Sequence, residues 1–321
     1  MARRWAALLL SSTLSCNALV GFGELERDVA IQVPDAGAVG VEAGSDARVE
    51  EASCDPGTDF GPPVLVPGSL HAAGTTEAAP TLTDDELELF FERRAGAEGA
   101  IFSARRDSID EPFGESAEVT ELGSTGRSFA PTLTGDGLAL FWSEQTVEGQ
   151  TITAGAIMAT RRLARDKRFG PPEPYRTPAE TSIRVLPHVT GDGAELYFSV
   201  LEAPNVSRIH RSLRDDRSTY QAPARVAELA AGSASEGGVA MSRDGLTMFF
   251  ASDRAGTLGG ADVFMATRPS RAEAFTNIAH VPALSSPRSD RPGWLSRDGC
   301  RLYLGSDRAS DGSLYVATRP R

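Results

Sequence analysis

The chain has 321 residues, with 32 lysines and arginines against 44 aspartates and glutamates, which gives a formal charge of −12 and a pI near 4.9. That balance argues against a nucleic-acid binder, which needs a basic face to displace counterions. Its 32 glycines and 20 prolines exceed what a helical protein tolerates, while 40% hydrophobic residues suffice for a core, so an all-β fold is expected.

Met1-Ala2-Arg3-Arg4 is a short basic start, and an apolar run of about ten residues follows from Trp5 to Leu14. That length suits the hydrophobic region of a signal peptide and is too short for a membrane span. The run ends in Thr13-Leu14-Ser15-Cys16, which resembles the bacterial lipobox, where a small residue precedes a cysteine that is lipidated and becomes the new N-terminus. The resemblance makes residues 1–16 a leader, assigns lipidation to Cys16, and implies a periplasmic or outer-membrane lipoprotein held at the membrane by its lipid anchor only. A lipobox usually has Leu where this chain has Thr13, and cleavage after Ala18 with secretion is the alternative.

Residues 17–58 hold nine acidic residues against Arg27 and Arg48, interleaved with Gly, Ala, Pro and Val. Such a segment cannot bury enough apolar surface to offset its ordering entropy, and it reads as a disordered acidic tether.

From residue 59 to 321 one pattern recurs five times. Pro80-Thr-Leu-Thr-Asp-Asp85, Pro131-Thr-Leu-Thr-Gly-Asp136, Pro187-His-Val-Thr-Gly-Asp192, Val239-Ala-Met-Ser-Arg-Asp244 and Gly293-Trp-Leu-Ser-Arg-Asp298 align, with their last aspartates 51, 56, 52 and 54 residues apart. An apolar strand core follows each, from Leu89-Phe90-Phe91 to Leu302-Tyr303-Leu304. A third strand then appears, as in Val263 to Arg268 and Leu314 to Arg319, and a fourth is led by Phe60, Phe113, Phe169, Tyr220 or Phe275. Four short strands per unit, five times over, predict a five-bladed β-propeller of four-stranded antiparallel blades. The chain enters on an aromatic-led strand at Phe60 and stops after a third strand, so the N-terminal strand, Phe60 to Val66, closes the last blade. In each turn the aspartate is expected to bond backbone N–H groups while Gly takes positive φ; Glu86 replaces Gly in the first unit, where a slightly different turn is expected.

The repeat, together with Ser252-Asp253-Arg254-Ala255-Gly256 and Gly259-Gly260-Ala261-Asp262-Val263-Phe264, resembles the WD40-like β-propeller repeat of the TolB type. The resemblance covers residues 60 to 321 and is specific for architecture, not for function. It implies a periplasmic or envelope-associated protein.

With Cys16 assigned to lipidation, Cys54 and Cys300 remain, either as a disulfide across the closure or as two free thiols. His71, His188, His210 and His280 have no metal-ligand spacing, no nucleophile elbow or P-loop occurs, and no metal or cofactor is expected. One constellation stands out. Glu77, Ser128, Arg184, Glu236 and Asp290 start the innermost strands eight residues before each turn aspartate, and Arg94, Arg254 and Arg308 follow second strands on the same face. These residues are expected to surround one mouth of the central channel. Two functions fit. One is a non-catalytic, monomeric scaffold binding an envelope protein or a glycan at the mouth through Glu77, Arg184, Glu236, Asp290, Arg254 and Arg308. The other is a glycoside hydrolase-like enzyme with Glu77, Glu236 and Asp290 as acid and base.

Overall fold

The structure, a computed structural model, describes residues 54–320 apart from 97, 124–126, 149–150, 176–181, 204–205, 216–218 and 310–311. The expected leader, Cys16 and the tether up to residue 53 lie outside the described residues.

The expected five four-stranded antiparallel blades are present. After the closing strand β1 (Val64–Leu65), blade one is β2 (Thr76–Leu82), β3 (Glu88–Ala95), β4 (Glu98–Arg105) and β5 (Ala117–Glu118). Blade two is β6 (Arg127–Leu133), β7 (Ala139–Glu148), β8 (Thr151–Arg161) and β9 (Glu173–Pro174). Blade three is β10 (Arg184–Val189), β11 (Glu195–Ala203), β12 (Val206–Leu213) and β13 (Ala224–Arg225). Blade four is β14 (Glu236–Met241), β15 (Thr247–Ser252), β16 (Asp262–Thr267) and β17 (Thr276–His280). Blade five is β18 (Asp290–Leu295), β19 (Arg301–Ser306) and β20 (Ser313–Thr318), with β1 as its outer strand. Closure works as expected: Val64 pairs with Val316 and Leu65 with Tyr315, and flanking bonds run from Gly61 N to Thr318 O and from Val66 N to Leu314 O. Residues 54–58, at the end of the expected tether, also pack against blade five. Cys54 is buried and joined to Cys300 in a disulfide with a Cα separation of 5.7 Å.

Each blade packs between two others, so its second strand is apolar on both faces, as in Met248 to Ala251 and Leu302 to Leu304. The core is accordingly five clusters, one in each seam. Phe90 and Ile101 of blade one meet Leu140 and Trp142 of blade two, for example, and Phe249 of blade four meets Leu302 and Leu304 of blade five.

The turn aspartates do what their spacing implies. Leu138 N, Ala194 N and Leu246 N donate to Asp136, Asp192 and Asp244 at 2.9, 3.0 and 2.9 Å, and the preceding Thr or Ser hydroxyl donates to the same oxygen. The first turn is not the exception expected of it. Glu86 takes φ +60°, close to the +71° of Gly137 and the +68° of Gly193. A non-glycine residue accepts that conformation here because its side chain is held. Arg301 Nε and Nη2 and the Tyr303 hydroxyl, all in blade five, donate to the Glu86 carboxylate at 2.7 to 3.0 Å.

Inner strands hold a second departure from local preference. Each carries a bulge, and Ala79, Ala130 and Leu186 sit there at φ +50°, +50° and +55°, each followed by proline. Residues before proline ordinarily stay extended, so this strain is held by the ring and is concentrated around its axis.

Replacing Glu86 by Gly separates the two effects. The turn gains the residue its backbone prefers, but the half-buried Arg301 loses one of its two carboxylate partners and the buried Tyr303 hydroxyl loses its acceptor, which costs on the order of 1 to 3 kcal/mol. The expected outcome of urea unfolding is a lower midpoint for Glu86→Gly; an unchanged or raised midpoint would show that turn geometry dominates.

Candidate functional site

The inner strands enclose an axial pocket of about 330 Å³. Its wall is built from equivalent positions of the five blades, Pro80, Pro131, Pro187, Val239 and Gly293. Gly293 is required by proximity, since a Cβ there would lie 2.3 Å from Pro80 O. At the turn end the axis is crossed by bonds from Asp84 N to Gly135 O (2.9 Å) and Gly135 N to Gly191 O (2.8 Å), and by an ion pair between Asp84 and Arg243. Blades one and four are not neighbours in the ring, so that pair spans the channel and closes this end. The other end carries Glu92, Arg94, Arg127, Gln145, Arg291 and Asp307. Glu92 lies 3.1 Å from Arg94 Nε and 3.2 Å from Arg127 Nη2, while Arg291 is exposed.

Of the residues expected at this mouth, Glu77 and Arg94 line the pocket; Arg184, Glu236, Asp290, Arg254 and Arg308 do not. The inner-strand starts stand at one level of the ring, and three of them, Glu77, Glu236 and Asp290, have their side chains held in hydrogen-bonded clusters. Glu77 accepts from Arg93 Nε (3.0 Å) and Thr75 Oγ1 (2.6 Å), with His71 Nδ1 at 3.1 Å. Glu236 accepts from Arg208 Nη1 (2.9 Å) and Ala231 N (3.1 Å), with Arg254 Nη2 at 3.5 Å. Asp290 accepts from Arg308 Nη2 (2.7 Å), Ser286 Oγ (2.7 Å) and Ser306 Oγ. Arg184 is buried with its guanidinium 5.7 Å from the Phe198 ring centre, and burial lowers its pKa. Ser128 is buried at the start of β6.

Glu77 pairs with Arg93 and not with Arg94 for a reason of parity. Glu77 stands opposite Arg93 across the sheet, and one residue further along the side chain points to the other face. Arg254 and Arg308 come two residues after Ser252 and Ser306, the partners of Glu236 and Asp290, and so keep the face. All three arginines also cap a backbone carbonyl of the preceding connection, Arg93 at Leu70, Arg254 at Leu229 (2.7 Å) and Arg308 at Leu284 (2.9 Å).

A second set of arginines escaped the sequence reading although its spacing was visible. Arg106, Arg162, Arg214, Arg268 and Arg319 directly follow the five third strands. Four of them lie over the aromatic residue that leads the fourth strand, at 4.5 Å for Phe113, 4.6 Å for Phe169 and Phe275, and 4.2 Å for Phe60.

Burial raises the Glu236 carboxyl above its ordinary range, and the bonds from Ala231 and Arg208 offset this only in part. Burial also acts on Glu88, but there the hydrogen bonds from Arg162 and Arg105 outweigh it and the pKa is lowered. His188, buried in β10, is pushed down to about 4 by burial alone. Among the described residues no group of His, Cys, Asp and Glu is placed to hold a metal ion.

No protein-family model matches the chain, and a search of curated proteins found no match. Solved structures similar to it include the TolB of Acinetobacter baumannii, at 15% identity over 76% of this chain and 54% of that one, with a TM-score of 0.43. This chain thus spans about half the length of that TolB. An α-L-arabinofuranosidase from Lactobacillus brevis is similar at 12% identity, covering 76% of this chain and 90% of that one, with a TM-score of 0.52. A mannose phosphorylase from Leishmania mexicana, solved with phosphate, is similar at 9% identity over 81% and 88%, also with a TM-score of 0.52. At these identities the likeness shows a shared propeller fold and leaves the function of this chain open.

His188 sets a pH expectation. Its folded pKa of about 4 lies below the ordinary 6.5, so the folded state holds this ring neutral. Stability is complete above pH 6.5 and is lost as pH falls from 6.5 towards 4, by roughly 3 kcal/mol in all. Carboxylates with lowered pKa, such as Glu88 and Asp298, begin to add their losses only from about pH 5 downward, at the foot of that window. The melting temperature of the native protein should fall between pH 6.5 and 4, and His188→Gln should flatten that slope; an unchanged slope would place the proton uptake elsewhere.

Proposed function

We propose that this protein is a non-catalytic lipoprotein of the cell envelope, periplasmic or outer-membrane, whose propeller holds a protein or glycan partner at the mouth of the axial pocket. The observation that carries this reading is the state of the carboxylates. Glu77, Glu236 and Asp290 are each at most 2% exposed, and each is held by an arginine and at least one further donor. Hydrolysis of a glycoside needs one carboxyl to give a proton and another to attack or activate water, and both must reach the sugar. Such carboxylates are suited to holding structure, Glu236 across the seam to Arg208 of blade three and Glu77 and Asp290 within their own blades. The pocket mouth, by contrast, offers the exposed Arg291 and the half-buried Arg94 above apolar walls, which suits capture of a partner's anionic or hydroxyl-bearing group. An envelope location is supported by the lipobox-like leader and by the Cys54 to Cys300 bond, which persists in an oxidising compartment.

One observation favours the hydrolase reading. Glu236 has the raised carboxyl pKa expected of a general acid.

Affinity capture from envelope extract and a glycan array, each with the full chain and two variants, separate these readings. Arg291→Glu should reduce capture at least tenfold with an unchanged melting temperature. Glu236→Gln should lower the melting temperature and leave capture intact. Capture indifferent to Arg291→Glu would remove the pocket mouth from the proposal, and glycan turnover abolished by Glu236→Gln would replace the proposal with the enzyme.

A further inference from the structure

The axial pocket is two-sided. Blades three and four contribute only Val185, Leu186, Pro187, Gly238 and Val239 to its wall, so every polar side chain there comes from blades five, one and two. Polar groups thus occupy an arc of three successive blades, and an aliphatic surface faces them across the axis.

Blade five carries groups that have no partner. The residue after each inner-strand start is Ala78, Phe129, Val185, Gly237 or Arg291, and only blade five has a charge there. Arg291 stands opposite Gly305, which has no side chain to offer it, and its guanidinium bonds to nothing among the described residues. Asp307 lies two residues past Gly305, and its N donates to Ser289 O at 3.0 Å. By the two-residue period of a strand, Ser289, Arg291 and Asp307 share one face of the sheet, and all three line the pocket. The matching aspartate of blade four, Asp253, accepts from Ser235 N at 2.6 Å, but the Asp307 carboxylate has no partner among the described residues. On blade two the position equivalent to Asp307 is Gln145. It is 5% exposed and lines the pocket, and its amide is likewise unpartnered among the described residues. The other carboxylates of the wall are taken, Glu77 by Arg93 and Glu92 by Arg94 and Arg127.

Unlike charges side by side select against a charged ligand. A carboxylate drawn to Arg291 would meet Asp307 and Glu92 as like charges, and an ammonium drawn to Asp307 would meet Arg291 and Arg94. A hydroxyl accepts from a guanidinium, donates to a carboxylate and does either with an amide. A ring with hydroxyls around its edge can bond blade five and blade two together while its C–H groups rest on Val185, Leu186 and Val239.

We propose that the axial pocket binds the terminal sugar of a neutral glycan, with neighbouring hydroxyls at Arg291 and Asp307 and a further one at Gln145. This rests on the pocket mouth being the binding site, and it selects a glycan over a protein and a neutral sugar over an acidic one. The volume of about 330 Å³ falls near the lower limit of the roughly 300 to 1,000 Å³ of small-ligand pockets, which is room for a chain end. Cleavage of a glycoside uses two carboxyl groups, and Asp307 is the one carboxylate of the wall without a partner among the described residues, so the sugar is held and not hydrolysed.

Saturation-transfer NMR and titration calorimetry on the full chain test this, with the methyl glycosides of glucose, galactose, mannose and N-acetylglucosamine and with methyl glucuronide and methyl galacturonide. At least one neutral glycoside should bind saturably, and the acidic sugars should bind at least tenfold more weakly. Asp307→Asn should narrow that gap at least threefold, and Gln145→Leu should weaken the neutral glycoside at least threefold. Asp307→Asn should also leave the melting temperature unchanged, because the carboxylate has no partner to lose, so it tests the site even if Gln145→Leu fails to fold. Absence of saturable binding, acidic sugars that bind as well as neutral ones, or a gap that Asp307→Asn does not narrow would overturn the inference. If none of these sugars binds while Arg291→Glu still abolishes capture of an envelope protein, the sugar is wrong and the pocket mouth stands; if capture is indifferent as well, both fall.

Discussion

A ring of blades depends on what closes the seams, because each blade leaves both faces of its sheet for its neighbours. The apolar clusters fill the middle of every seam, and at the turn end an arginine that follows a third strand, Arg106, Arg162 or Arg268, reaches across to the preceding blade. Arg162 shows the device in full. Its Nε donates to Gly137 O at 2.8 Å, its plane lies over Phe169, and it reaches across the seam to Glu88 of blade one. Arg268 repeats this with Gly245 O, Phe275 and Glu195 of blade three. Guanidinium suits the task because its planar fork donates in several directions while its face stacks on an aromatic ring. In blade three the leading aromatic is Tyr220, and its hydroxyl donates to Gly193 O at 2.8 Å.

Five is an odd number, and the acceptors show it. Glu88 and Glu195 begin the second strands of blades one and three, where blades two and four have Ala139 and Thr247. Alternation of donor and acceptor blades cannot close on itself in such a ring. Blade five instead carries Arg301 at this position, and its acceptor is Glu86, supplied from the turn of blade one in place of the usual glycine. The one irregular turn in the sequence is thus accounted for by ring closure and not by local backbone preference.

Much of this was legible in the chain. Repeat length, strand count, turn aspartates and the entry phase of the first strand are local or periodic features, and they led to the blade number and the closing strand. The parity separating Arg93 from Arg94 was also present in the sequence, but reading it requires the register of β2 against β3, which a bulge at Ala79 shifts. The left-handed Ala79, Ala130 and Leu186 run against the preference of residues before proline, because the ring and not the local chain sets their conformation. Side-chain direction was the hardest to foresee. Nothing in the spacing of Glu236 or Asp290 says whether a strand's first residue faces the axis or a seam.

Repeat symmetry offers a physical criterion for separating structural residues from available ones. Where equivalent positions carry matched partners, as Arg254 with Glu236 and Arg308 with Asp290, the groups are buried and satisfied, and their removal leaves a partner unpaired. Where a position departs from the pattern, two outcomes are possible. Glu86 departs and is fully engaged, so its irregularity belongs to closure. Ser128 departs and is buried, and its Oγ has no hydrogen-bond partner among the described residues. Arg291 departs in another way, standing exposed on an inner strand beside Pro292. Burial combined with hydrogen-bond satisfaction, and not charge or position in the ring, therefore decides which of these residues have binding capacity left for a partner.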